Sequence, residues 1–72
     1  MHGDQAIQAL RDALRVTPHN IPLRTHLARS LAGLGRLDEA EQEFRGALAD
    51  APDDVSIKLG LADCYYRQGK DG

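Results

Sequence analysis

Residues 20–54 read NIPLRTHLARSLAGLGRLDEAEQEFRGALADAPDD, and this stretch decides the fold. It contains two amphipathic segments with recognisable beginnings and ends. Asn20 can cap a helix whose first turn holds Pro22, where a missing backbone N–H costs nothing. Gly35 can close that helix in the left-handed conformation, and Pro52 marks the end of the next one. The stretch therefore predicts two helices joined by a short turn, over residues 21–34 and 38–50.

The same pattern repeats at a spacing of 34 residues. Ten of the 38 residue pairs with this separation are identical, against about three expected from the composition, and a fixed period of this size is typical of repeat architectures. The identical pairs are Asp4/Asp38, Ala6/Ala40, Gln8/Gln42, Arg11/Arg45, Ala13/Ala47, Leu14/Leu48, Pro18/Pro52, Leu27/Leu61, Ala28/Ala62 and Gly35/Gly69. We predict an all-α fold of antiparallel helix pairs with four helices, near 4–15, 21–34, 38–50 and 55–68.

Each predicted helix carries an apolar stripe at spacings of three and four residues, which turns one helical face toward a core. Asp38 followed by Glu41 predicts a capping box at the start of the third helix, and Asp53 or Asp54 can cap the fourth. The residues expected to point inward are Ala6, Ile7, Leu10, Ala13 and Leu14 in the first helix, Leu23, Leu27, Leu31 and Leu34 in the second, Ala40, Phe44, Ala47 and Leu48 in the third, and Ile57, Leu61 and Tyr65 in the fourth.

The spacing of these residues resembles that of the tetratricopeptide repeat (TPR) family, whose pattern is Trp-x2-Leu-Gly-x2-Tyr, then Ala-x3-Phe, a second small residue and Pro. Residues 21–54 give Arg24-x2-Leu27-Ala28-x2-Leu31, then Ala40-x3-Phe44-x2-Ala47 and Pro52. The last part of the chain gives Lys58-x2-Leu61-Ala62-x2-Tyr65, and the first part gives Ala6-x3-Leu10-x2-Ala13 and Pro18. The chain departs from the pattern with Arg24 and Lys58 in place of tryptophan and with Ala28 and Ala62 in place of glycine, although alanine still permits close approach of helices.

The resemblance implies an α-solenoid and also sets its phase. Residues 1–72 then form a single TPR fragment, in which 3–20 is the second helix of one repeat, 21–54 is a complete repeat and 55–70 is the first helix of another. The stretch 20–48 is also similar to repeat segments ahead of the ATPase module in some bacterial AAA proteins, so an accessory domain of a larger enzyme stays an open alternative. Because both end helices lack a partner helix, we expect self-association through one or both ends, as a two-fold dimer or end to end.

Composition argues against several other classes of protein. The net charge is −2, and lysine and arginine are dispersed, which disfavours a nucleic-acid partner, including RNA bound by a helical repeat of similar period. The start of the sequence lacks a signal-peptide pattern, and no apolar run approaches the roughly 20 residues that cross a bilayer. Cys64 is the single cysteine and cannot form an internal disulfide, which fits a reducing compartment. We therefore expect a cytoplasmic protein without a membrane partner.

The sequence offers no persuasive catalytic or metal site, so we expect no enzyme and no cofactor. Cys64 lies beside Leu61 and Tyr65 on the predicted inner stripe, where a packed thiol is the expected role. His2, His19 and His26 lack the spacing of metal ligands. The acidic run Asp38, Glu39, Glu41 and Glu43 is interpreted as a charged helix start, with Glu41 paired to Arg45 at i+4.

The resemblance does imply a ligand face, because in this family the first helix of each pair lines a concave groove that takes a peptide or protein. The non-core residues of those helices are Thr25, Arg29, Ala32, Leu59, Asp63, Tyr66 and Arg67. Arg29 and Arg67 can hold a carboxylate or backbone carbonyls, and Leu59 and Tyr66 offer apolar contact. An ordinary solvated face with an internal Asp63–Arg67 pair is the alternative. The family's clamp for tails ending Glu-Glu-Val-Asp needs Lys and Asn where Thr25 and Arg29 stand, so such tails are not expected ligands.

Overall fold

The computed structural model describes residues 2–69, with His2 described by its backbone alone. Four helices follow one another with short connections, and no strand occurs in this part of the chain. Their bounds are α1 His2–Val16, α2 Ile21–Gly33, α3 Leu37–Asp50 and α4 Val55–Arg67. The predicted all-α fold of four helices is therefore confirmed, with helix ends within two residues of those read from the sequence.

Two of the helices begin with a side-chain cap of the kind that the sequence predicts. The Leu23 backbone N–H donates to the Asn20 side-chain oxygen at 3.1 Å, and Pro22 lies in the first turn of α2. The Ile57 N–H donates to the Asp54 carboxylate at 3.2 Å, so Asp54 rather than Asp53 caps α4. Each cap satisfies one of the N–H groups that a helix start leaves without an intrahelical acceptor.

The turn between α2 and α3 is built around a left-handed glycine. Gly35 has φ +79°, its N–H donates to the Ala32 carbonyl at 3.0 Å, and the Arg36 N–H donates to the Leu31 carbonyl at 2.9 Å. This pair of hydrogen bonds is the Schellman motif, which satisfies the last carbonyls of α2. Gly69 repeats the conformation after α4, with φ +76°.

The capping box predicted at Asp38 and Glu41 does not form. Helix α3 begins one residue earlier, at Leu37, and its N-cap Arg36 makes no side-chain cap hydrogen bond. The Gly35 turn leads the chain into the helix before Asp38 can occupy the capping position, so Asp38 lies in the first turn. Glu41 is buried instead, with 6% of its surface exposed, and it accepts hydrogen bonds from Arg45 and Gln68. The predicted Glu41–Arg45 pair is confirmed.

Helices α2 and α3 form the centre of the molecule. Leu27 and Leu31 on α2 are fully buried, and Phe44 on α3 is 1% exposed. Ala40 and Ala47 are also fully buried, which confirms that small side chains face the neighbouring helices and let them approach closely. Leu23 and Leu48 are partly buried against the same core.

The outer helices bury less of their predicted stripes than the central pair. On α1, Ile7 and Leu14 are buried and Leu10 is partly buried, whereas Ala6 and Ala13 are exposed. The prediction that Ala6 and Ala13 point inward is wrong, because α1 packs against one side of the core only and nothing within residues 2–69 covers its other side. Leu34, also predicted to point inward, is 48% exposed, since it is the C-cap residue of α2 and packs beside Gly3. On α4, Ile57 and Cys64 are buried, while Leu61 and Tyr65 are only partly covered.

Each helix packs mainly against its neighbours in sequence, and alternate helices are linked by a few side-chain contacts. The odd-numbered helices α1 and α3 are joined by the Arg11–Glu43 ion pair at 3.3 Å. The even-numbered helices α2 and α4 are joined by hydrogen bonds between their side chains and backbone. None of the helices within residues 2–69 is both long and apolar enough to span a bilayer.

Candidate interaction face

The side-by-side arrangement of α2 and α4 produces one continuous surface, which we call the α2/α4 face. The seven residues predicted from the sequence to meet a ligand all lie on these two helices and are Thr25, Arg29, Ala32, Leu59, Asp63, Tyr66 and Arg67. Residues at i, i+4 and i+7 share a helical face, so Thr25, Arg29 and Ala32 follow one line along α2. Leu59, Asp63 and Tyr66 follow the equivalent line along α4.

Arg29 joins the two helices near the start of α4. Its Nη2 donates a hydrogen bond to the hydroxyl of Ser56. Both side chains are exposed, and a guanidinium has five N–H donors. Arg29 therefore keeps donors available for a ligand after bonding to Ser56.

Arg67 makes the corresponding link near the end of α4. Its Nη2 donates to the backbone carbonyl of Ala32 at 3.0 Å, and its Nη1 lies 3.5 Å from the Asp63 carboxylate. Arg67 thus holds the C-terminal turns of α2 and α4 together. The side chains of Asp63 and Arg67 are 57% and 40% exposed, so the charge of Arg67 is partly balanced but remains accessible.

The other four predicted residues divide into two groups. Thr25 donates its hydroxyl to the carbonyls of Ile21 and Pro22, and Ala32 is buried beside α4, so both belong mainly to the structure of α2. Leu59 is 65% exposed and Tyr66 is 83% exposed. These two large side chains provide apolar surface next to the arginines.

Sequence reasoning missed Ser56 and His26 as members of this face. Ser56 precedes Asp63 by seven residues and therefore shares its helical face, a spacing that could have identified it. His26 lies three residues before Arg29 and is exposed. The hydrogen bond between Ser56 and Arg29 depends on how two helices pack, which no spacing within one helix predicts.

A separate depression of about 330 Å³ lies where α1, α2 and α3 meet. It is lined by Arg11, Leu14, Arg15, Pro18, Arg24 and Glu43. Arg24 Nε lies 3.7 Å from a Glu43 carboxylate oxygen and has no hydrogen-bond partner within the described part of the chain. None of the seven predicted ligand residues lines this depression.

The groups considered for catalysis or metal binding are placed apart. Cys64 is a free, fully buried thiol, and burial raises its pKa, with a further contribution from the Asp63 carboxylate. His19 is exposed, and its Nδ1 lies 3.0 Å from the Asp50 carboxylate. Within residues 2–69, no group of three or more His, Cys, Asp or Glu side chains is arranged to hold a metal ion. The side chain of His2 lies outside the described residues.

Comparison with known proteins gives one family. A family model described as tetratricopeptide repeat matches residues 2–54 and, in a second overlapping match, residues 35–71. The two matches start 33 residues apart, close to the internal period of 34. The curated proteins and the solved structures give no match.

Proposed function

Since the chain belongs to the tetratricopeptide repeat family, whose repeats generally mediate contacts between proteins, we propose that it is an interaction module that binds a peptide or protein segment on the α2/α4 face. The observation that carries this proposal is the pair of arginines, Arg29 and Arg67, which bridge α2 and α4 and remain exposed. Both are held in place by bonds to the neighbouring helix. A bound segment would therefore meet guanidinium donors whose positions are already restricted, which lowers the entropic cost of binding.

The chemistry of the face indicates the kind of segment it would take. Arg29 and Arg67 suit a carboxylate or a series of backbone carbonyls. Leu59 and Tyr66 beside them suit an apolar or aromatic side chain. We propose a ligand with an acidic group next to an apolar one. The Asp63 carboxylate lies 3.5 Å from Arg67 and disfavours a second acidic group close to that arginine.

A selection from a random peptide library displayed on phage tests the proposal directly. Peptides enriched on the 72-residue chain are synthesised, and their binding is measured by fluorescence anisotropy. Arg29→Ala is expected to weaken binding about tenfold or more, as truncation of an arginine at the centre of an interface typically does. Arg15→Ala, an exposed arginine on α1, is the matched control and should leave affinity unchanged. Equal loss in both variants, or no loss in Arg29→Ala, would contradict binding on this face.

Of two alternative functions, only the second makes a different prediction about the same face. An accessory repeat domain in a larger enzyme such as an ATPase would also use the α2/α4 face, so the peptide experiment applies to it unchanged. A helical-repeat RNA binder would use phosphate contacts, and its affinity would fall steeply with salt. The net charge of −2 and the Asp63 carboxylate on the α2/α4 face support a protein ligand over RNA. A cytoplasmic setting remains part of the proposal, supported by the single unpaired cysteine.

A further inference from the structure

The exposed side of α4 matches, residue for residue, a side of α2 that the structure buries. Leu61, Ala62 and Tyr65 on α4 follow Leu27, Ala28 and Leu31 on α2 by 34 residues and so occupy the same positions in the repeat. On α2 all three side chains are fully buried, because α3 covers them. On α4 the first and third are only partly covered and Ala62 is exposed. We call Lys58, Leu61, Ala62 and Tyr65 the α4 end face.

The opposite end of the molecule has the complementary surface. Ala6, Leu10 and Ala13 on α1 correspond to Ala40, Phe44 and Ala47 on α3, which are no more than 1% exposed. On α1 the two alanines are exposed and Leu10 is partly covered. We call Ala6, Leu10, Asp12 and Ala13 the α1 end face. One end therefore resembles an uncovered α2, and the other resembles an α3 without its α2.

We propose that the two end faces bind each other, so that α1 of a second copy of this chain packs on α4 as α3 packs on α2. The packing of α3 on α2 supplies the template for this contact. If the repeat continues into the second copy, each residue of that copy takes the place of a residue numbered 68 higher in one continuous chain, which is two periods of 34. Apolar side chains exposed at an open end favour such an association. The contact joins two different surfaces and continues the stack, so it forms open chains rather than closed dimers.

Charge supports this pairing. In the α2–α3 template, a Cβ added at Gly46 would lie 2.6 Å from Arg24 Nη1. The corresponding residues at the junction are Asp12 of the second copy and Lys58 of the first. The contact therefore places a carboxylate beside an ammonium group. A two-fold dimer would instead bring two Lys58 residues, or two Asp12 residues, into one interface, and like charges across an interface oppose association.

The same arrangement also repeats the pairing of α2 with α4. Tyr66 of α4 corresponds to Ala32 of α2. Ala32 is 7% exposed there, and its carbonyl accepts a hydrogen bond from α4. In the proposed stack, α2 of the second copy packs beside α4 of the first copy, as α4 packs beside α2 within one chain.

Sedimentation velocity of the 72-residue chain over a wide concentration range tests the proposal. We expect a weight-average mass that keeps rising with concentration beyond that of a dimer. Lys58→Glu and Asp12→Lys should each weaken association about five- to tenfold, because each puts like charges together at the junction. A monomer at every concentration, or a species that stops at the dimer, would overturn the proposal.

A mixture of the two variants is the decisive measurement. The glutamate that replaces Lys58 in one chain then meets the lysine that replaces Asp12 in the other. The remaining junctions pair the native Lys58 with the native Asp12, so association should return to the level of the unmodified chain. Failure of the mixture to recover would exclude the Asp12–Lys58 pairing.

Two further variants control for unrelated effects. Gln42→Glu, at an exposed position on α3, controls for a change in net charge and should have no effect on association. Arg29→Ala should also leave self-association unchanged, which separates this proposal from peptide binding on the α2/α4 face. Loss of association in both controls would contradict a specific junction between the end faces.

Discussion

The ring of Phe44 lies directly against the backbone of Gly60. A Cβ added to residue 60 would be 2.5 Å from both Cε1 and Cζ of that ring, a separation at which the ring or the helix must shift. Phe44 is 1% exposed and surrounded by the core, so its ring has little room to move. Gly60 thus sets how closely α4 approaches α3.

Gly60→Ala is therefore expected to destabilise the fold by about 1–3 kcal/mol from overpacking, offset in part by the roughly 1 kcal/mol that alanine gains over glycine in a helix. Gly33→Ala is the matched control, because a Cβ at that residue meets nothing within 4 Å. The control should be neutral or slightly stabilising. Urea denaturation followed by circular dichroism measures both, and a stabilised Gly60→Ala variant would show that α4 adjusts without cost.

Gly35 has no steric barrier to a larger side chain, yet substitution there is expected to destabilise the protein. A Cβ would meet nothing within 4 Å, but φ is +79°, a conformation that β-branched residues strongly disfavour. Gly35→Val should cost more than about 1 kcal/mol, and Gly35→Asn should cost less, since asparagine tolerates the left-handed region. The free energy of unfolding of the two variants is the measurement. Equal costs would show that the loss of stability does not come from the backbone conformation at residue 35.

The success at Gly35 shows which features the sequence could predict. Positive φ at a helix end, the Asn20 cap and the buried Ala40 all follow from local chemistry or from the repeat period. The same local chemistry led to a wrong capping box, because the Schellman turn already sets where α3 begins. Asp38 and Glu41 have the correct spacing, but spacing does not reveal that the helix starts one residue earlier.

The remaining misses concern contacts between helices. Ala6 has the same periodic signature as Ala40, yet it is exposed, because burial depends on a neighbouring helix rather than on the residue itself. The hydrogen bond from Arg67 to the Ala32 carbonyl likewise depends on how α2 and α4 are placed. Family resemblance therefore identified most of the candidate face from the sequence, but the links that join its two helices were not predictable.

The close approach of α2 and α3 makes Ala40 sensitive to size. Ala40 is fully buried, and Ala40→Leu should destabilise the fold by about 1–3 kcal/mol because the core has no room for a larger side chain. Ala49→Leu on the exposed side of the same helix is the matched control and should change stability by less than about 0.5 kcal/mol. Thermal and urea unfolding should agree on the order of the two variants. An unchanged melting temperature for Ala40→Leu would refute close packing at this contact.

Cys64 should be unreactive in the folded protein and should make stability fall as the pH rises. Burial raises the pKa of its thiol above the value of about 8.5 expected in an unfolded chain. Between those two pKa values the unfolded chain loses the thiol proton while the folded chain keeps it, so ionisation favours unfolding. The contribution is complete below about pH 8.5 and is lost as the pH rises through the folded pKa.

Iodoacetamide should therefore modify the native protein far more slowly than the urea-unfolded one. Cys64→Ala should lower stability below about pH 8.5 by leaving a small cavity, yet remove the decline at higher pH. An identical decline in Cys64→Ala would assign the pH dependence to another group, and rapid native modification would mean that α4 opens readily from the core.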